Sequence, residues 1–162
     1  MADPKWLSKN EIEAWRPLAA LALLLPSRLE EPLQSHGLTF FEYSVLVVLA
    51  DATDRTAPMS ELAHLAGGSL SRTSHSARRL EERGLLQRSR CPTDGRVTLV
   101  TLTGDGHERL VAAAPSHVES VRHSIFDALT PDEAAELGRH VTAILTHIAP
   151  TGPWASEADR AS

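Results

Sequence analysis

Between Ser60 and Leu102 the chain alternates short apolar-patterned runs with chain-breaking signals, in an order that few folds accommodate. Ser60 can cap a short helix to Ala66, with Leu62, Ala63 and Leu65 or Ala66 facing inward. Gly67-Gly68 breaks it, because glycine takes left-handed or otherwise unusual dihedrals without penalty. Ser69 or Ser71 can cap a second helix that continues to Arg83 and stops at Gly84. Leu86 to Cys91 and Arg96 to Leu102 then flank the turn sequence Pro92-Thr93-Asp94-Gly95, and the second flank is rich in β-branched residues. Two short helices joined by glycines and followed at once by a β-hairpin describe a helix-turn-helix with a wing.

At about 100° per residue, Leu70, Thr73, Ala77, Leu80 and Gly84 fall on one side of the second helix and are expected to pack on the body. The opposite side carries Ser71, Arg72, His75, Arg78 and Arg79, with Ser69 and Ser74 beside them. Such a face suits the major groove of double-stranded DNA, since Ser and His reach base edges and Arg grips guanine or phosphate. On the hairpin, Arg90 and Arg96 stand on either side of Asp94, and arginine suits the narrow, electronegative minor groove. Asp94 is expected to orient an arginine rather than to touch DNA.

Net charge at first opposes this reading, because the chain carries −5 and DNA affinity rests largely on Lys and Arg. The distribution restores it. From Leu70 to Val100 there are seven arginines and three acids, a local +4 that leaves −9 for the remainder. An acidic body with one basic segment is a localised electrostatic footprint.

The flanks read as helices. Thr39 with Glu42 makes a capping box for a helix from about Phe40 to Asp51, with Leu38 and Tyr43 placed as a hydrophobic staple. Thr130-Pro131-Asp132-Glu133 opens a last helix from about Pro131 to His147, and Ser8 with Glu11 opens a first one. Pro17, Pro26 and Pro32 are expected to kink or break that first helical region. Apolar residues from Leu110 to Leu129 recur at spacings of three and four, a long amphipathic helix with Pro115 as a candidate bend. Residues 150–162 turn to Pro, Gly, Ser and Ala with acids and are expected to form a disordered tail, with Trp154 as a candidate docking residue. No signal peptide or apolar run of about 18 residues is present, so a cytoplasmic protein without membrane contact is expected. One cysteine, Cys91, leaves no intrachain disulfide.

Taken together, Leu38-Thr-Phe-Phe-Glu-Tyr-Ser-Val-Leu, Met59-Ser-Glu-Leu-Ala, Gly68-Ser-Leu-Ser-Arg-Thr-Ser-His75, Arg79-Leu-Glu-Glu-Arg-Gly-Leu-Leu86, Asp94-Gly-Arg96 and Leu102-Thr-Gly-Asp-Gly106 resemble the MarR family of regulators in order and spacing. The resemblance implies a mainly α fold with a small β-hairpin wing: a winged helix-turn-helix part over 38–103, dimerisation helices over 8–36 and 104–148, and one unit over 1–149. It implies a homodimeric transcriptional regulator, commonly a repressor, that reads a pseudo-palindromic operator and is released by a small aromatic or phenolic effector. Its Asp-x-Arg wing pair falls on Asp94 and Arg96. The three prolines depart from the family's long straight dimer helix, and Thr73, Ser76 and Ala77 make the recognition helix less apolar than in typical relatives.

Rival readings find less support. No Gly-x-Ser-x-Gly elbow, phosphate-binding glycine loop or His-Glu-x-x-His helix occurs, so no enzyme and no cofactor is expected. A winged helix used only to bind protein would not need arginine on both helix and wing. Eight histidines contain no pair at i,i+3 or i,i+4, which argues against metal sensing. Cys91, beside Arg90 and near Arg88, is a candidate reactive thiol, with a plain strand-end residue as the alternative. For an effector pocket, Trp15, His36 and Tyr43 supply aromatic walls and a polar handle, with ordinary core packing as the alternative.

Overall fold

A computed structural model describes residues 4–149; the tail read at 150–162, with Trp154, lies outside them. Three helices open on the same device. Ser8, Thr39 and Thr130 each accept a hydrogen bond from the backbone three residues on, and Glu11, Glu42 and Glu133 reach back to the capping residue's N–H. These boxes start α1 (Lys9–Glu30), α2 (Phe40–Asp51) and α6 (Pro131–Ile148).

No break occurs at Pro17 or Pro26, and α1 runs through both. Each proline deletes one helical hydrogen bond, a local loss that the turns on either side bridge. The change comes only at Pro32, in a 3-10 stretch Glu31–His36 that ends on Gly37. α5 (Gly104–Ser124) likewise contains Pro115, but stops at Ser124 before a 3-10 turn Phe126–Ala128, shorter than the apolar spacing suggested.

The central lobe holds α2, α3 (Met59–Leu65), α4 (Leu70–Glu82), β2 (Leu86–Arg90) and β3 (Thr98–Leu102). A strand not foreseen, β1 (Thr56–Pro58), pairs antiparallel with β3 through Thr56↔Thr101, Ala57↔Val100 and Pro58↔Leu99, giving the order β1-β3-β2. It is three residues long and ends in proline, so it carries no alternation to read. The core under this sheet is Leu33, Leu38, Val45, Leu46, Leu49, Leu62, Leu80 and Val100, all fully buried.

At the breaks between helices, Gly67 and Gly84 adopt φ of +67° and +74°, where a side chain would be strained. Gly68 serves a different need: a Cβ there would run into the Phe41 ring. α5 is anchored under the hairpin by Thr103, whose hydroxyl accepts from Gly106 N–H at 3.0 Å and donates to Gly84 O at 2.7 Å. The approach is so close that a Cβ on Gly106 would collide with the carbonyl of Leu85, whereas one on Gly104 meets nothing within 4 Å. Gly106→Ala is therefore expected to lose about 1–3 kcal/mol by overpacking, and Gly104→Ala to lose no stability from packing. Urea unfolding of the two variants checks this, and equal midpoints would refute it.

Candidate nucleic-acid interface

Residues of α4 divide among four directions. Thr73, Ser76, Ala77 and Leu80 are buried in the lobe, and the Thr73 hydroxyl donates to Ser69 O at 3.0 Å. Ser69 caps the helix, its oxygen accepting from Arg72 N–H at 3.2 Å. The outward centre carries Ser71, His75 and Arg78, all exposed, with Arg78 3.8 Å from Glu82.

On the side facing α2, the arginines have protein partners. The Arg72 guanidinium lies over the Phe41 ring, 4.1 Å from its centroid. Arg79 meets Glu42 at 2.9 Å and Arg83 lies 3.6 Å from its other oxygen. Glu42 is only 3% exposed and also accepts from Thr39 N–H at 3.0 Å, so one buried carboxylate closes the cap of α2 and clamps α4. Arg72 and Arg79, read as groove contacts, thus also hold the helix that would enter the groove.

Toward the wing lie Leu70, Ser74 and Glu81. Glu81 receives the Arg88 backbone N–H at 2.8 Å, Nε at 2.7 Å and Nη2 at 2.6 Å, and this pairing holds its carboxyl below the ordinary range. Leu70 corrects an expectation: it does not pack inward but is 56% exposed. It lies on the wing-facing flank of the first turn, whose Thr73 is buried in the lobe. With Met59, Ser60, Ser74, Arg96, Val97 and Thr98 it lines a cleft of about 310 Å³ between helix and wing.

The wing is tied by its own turn. Arg90 Nη1 donates to Gly95 O at 2.7 Å, and Cys91 N–H donates to Val97 O at 2.9 Å. Asp94 does not orient a guanidinium; its Oδ1 accepts the Arg96 backbone N–H at 2.9 Å, the local bond an aspartate makes two residues on in a tight turn. The Cys91 thiol is held below its ordinary range by the Thr93 hydroxyl, 3.2 Å away, and then by the backbone N–H groups of Thr93 and Asp94. The neighbouring arginines invoked for it point elsewhere, Arg88 to Glu81 and Arg90 to Gly95.

The three candidate effector residues separate. Tyr43 is buried on α2 with its ring 4.4 Å from that of His117 on α5. His36 lies 3.4 Å from the Ser116 hydroxyl, and its carbonyl accepts from Arg109 at 2.7 Å. Both therefore sit against adjacent residues of α5, while Trp15 is 55% exposed on α1. Burial raises the Tyr43 hydroxyl and lowers the His117 imidazole, whose Nδ1 is buried without a partner. His117 was not singled out from sequence, because nothing local marks which helical histidine meets an aromatic ring. Among the described residues no group of three or more His, Cys, Asp or Glu could hold a metal.

These geometries separate support from contact. Arg79→Ala is expected to lose about 1.5–3 kcal/mol of stability, because it removes a charge-assisted bond to a buried carboxylate. His75→Ala and Arg78→Ala should stay within about 0.5 kcal/mol of the parent. Denaturant midpoints for the three variants decide it; an unmoved Arg79→Ala would deny Glu42 its clamping role.

The family model of the SarA/Rot transcriptional regulators matches residues 28–112. No match was found among curated proteins. Among solved structures, Sco3205 of Streptomyces coelicolor, a MarR family transcriptional regulator crystallised with DNA, shares 37% identity at a TM-score of 0.86, covering 92% of this chain and 94% of that one. AbsC, a MarR family regulator of the same organism, shares 36% identity at a TM-score of 0.82, covering 90% and 98%. CouR of Rhodococcus jostii RHA1, solved with p-coumaroyl-CoA, is alike in fold at 24% identity and a TM-score of 0.69, covering 83% and 90%. With its winged lobe, its capped α4 and relatives aligned over nearly the whole chain, the protein belongs to the MarR family of transcriptional regulators.

Proposed function

We propose that the protein binds operator DNA as a homodimer, with α4 in the major groove and the wing at the adjacent minor groove, and that it acts as a repressor. The observation that carries this reading is the outward centre of α4, where Ser71, His75 and Arg78 are exposed above a helix clamped from behind by Glu42. The DNA complex of Sco3205 supports it. Arg90 and Arg96 of the wing supply further positive charge, and Asp94 sets the turn that presents Arg96. The base edges fall to Ser69, Ser71, Arg72, Ser74 and His75, and the phosphates to Arg78 and Arg79. No enzymatic step enters this reading.

Dimerisation is supported by apolar surface that the single chain leaves uncovered. α6 buries no residue, and Leu137, Val141, Ile144 and Ile148 recur along it at spacings of four, three and four, all exposed. Leu21, Leu23 and Leu24 of α1 are exposed as well. A symmetric pair joined by these helices would present two α4 helices to a pseudo-palindrome. Release by a small aromatic effector near Tyr43, His36 and Trp15 is supported by the p-coumaroyl-CoA complex of CouR, and action in the cytoplasm fits a chain whose described helices include none long and apolar enough to cross a membrane.

A mobility-shift assay with the region upstream of its own gene, at several salt concentrations, tests the reading. Affinity should fall steeply with salt as phosphate counterions are released, and salt-independent or absent binding would overturn it. His75→Ala should cost about 1–3 kcal/mol on that duplex and relax its sequence preference. Arg96→Ala should weaken binding evenly across sequences and lower the salt slope by about one. Ile144→Glu should shift the mass seen in analytical ultracentrifugation toward the monomer; an unchanged mass would place the interface elsewhere.

A further inference from the structure

We infer that Leu70 is a specificity-determining residue that reads the C5-methyl group of a thymine in each half-site. The inference rests on the proposed DNA-binding reading and adds a contact that polar side chains cannot make.

Elsewhere in the lobe Leu38, Leu46, Leu49, Leu62, Leu80, Leu85, Leu86 and Leu102 are buried, and Leu65 and Leu99 are half-buried. Leu70 alone of the lobe's leucines is largely exposed, at 56%, and it does not belong to the apolar core cluster. Its place is the first turn of α4, the end of a recognition helix that approaches base edges. At about 100° per residue it lies about 70° round from the centre of the buried stripe, on the flank shared with Ser74. That flank opens onto the cleft walled by Met59 on one side and by Arg96 and Val97 on the other. The cleft is therefore bounded by the helix that would read bases and by the wing arginine that would seat beside it. An apolar group at its rim has one chemical counterpart in the major groove, because the thymine methyl is the only apolar substituent displayed there. Ser71 and His75, one and five residues on, offer hydrogen bonds to polar base edges. Leu70 distinguishes thymine from cytosine and from uracil by shape and desolvation.

The test uses the full chain and a duplex recovered by selection from a randomised pool, with each thymine replaced singly by deoxyuridine. That exchange removes the methyl and keeps the pairing. Fluorescence anisotropy should show one position per half-site where the replacement lowers affinity about fourfold, the equivalent of one buried methyl group. In Leu70→Ala the same replacement should change affinity by no more than the scatter between repeats, while the salt slope stays that of the parent. Circular dichroism of the variant verifies that it is folded, and Leu70→Val, which keeps an apolar tip, should recover part of the methyl preference. Binding that ignores every replacement, or a methyl preference that persists in Leu70→Ala, overturns the inference and leaves the DNA-binding reading standing. Failure to recover any bound duplex overturns both.

Discussion

The buried carboxylate of Glu42 is the contact on which the position of α4 depends. It closes the cap of α2 through Thr39 N–H and faces Arg79 and Arg83 across the helix pair. A carboxylate removed from water is costly unless its oxygens are bonded, and here three donors meet two oxygens. The result couples the start of α2 to the second half of α4. Nearer the N-terminus of α4 the same seam is continued by Arg72 over Phe41, whose ring also fills the space that Gly68 leaves open. The position of α4 is thus fixed by side chains of α2, and its outward residues inherit that position.

The wing is placed by a second, separate set of bonds. Glu81 near the end of α4 holds both the backbone and the guanidinium of Arg88, so β2 is tied to α4 rather than to solvent. Farther out, the turn is closed by Asp94 and by Arg90 on the Gly95 carbonyl. Behind the sheet, the near contact of Gly106 with Leu85 brings α5 against the lobe, and α5 carries His117 to the Tyr43 ring. A displacement of α5 would accordingly be felt at the root of α2, next to Glu42, which gives the helices outside the lobe a physical route to α4.

Most of this was legible where the signal is local. Capping boxes at Ser8, Thr39 and Thr130 marked three helix starts, and the glycines at 67, 68 and 84 marked the limits of α4, because each acts within four residues of chain. What could not be read was set across the fold. β1 has no pattern of its own and exists because β3 offers it an edge. Pro17 and Pro26 carry a breaking signal that α1 overrides. Leu70 followed the helical period of the buried residues closely enough to be assigned inward, yet it lies on the flank of α4 that opens onto the cleft beside the wing. Glu42 was recognised as a cap, but its two arginines lie 37 and 41 residues away in sequence, and no periodicity joins them.

The same pairings revise the electrostatics. The local +4 along Leu70 to Val100 already subtracts Glu81, Glu82 and Asp94, but not the acids that other parts of the fold bring to the same arginines. Arg79 and Arg83 face a carboxylate from outside that segment, while within it Arg88 donates both Nε and Nη2 to Glu81 Oε2 and Arg78 lies beside Glu82. Arg72 keeps its charge but spends its face on an aromatic ring, and Arg90 is bonded to a carbonyl. Among the described residues, Arg72, Arg90 and Arg96 form no ion pair, so the uncompensated charges of the segment stand at the start of α4 and on the wing. The field offered to a polyanion is therefore directional: weak over the back of the lobe, where arginines are neutralised by α2, and concentrated where α4 and the wing open together. In a chain whose remainder carries a net −9, a basic face of this kind favours approach of phosphate from that side.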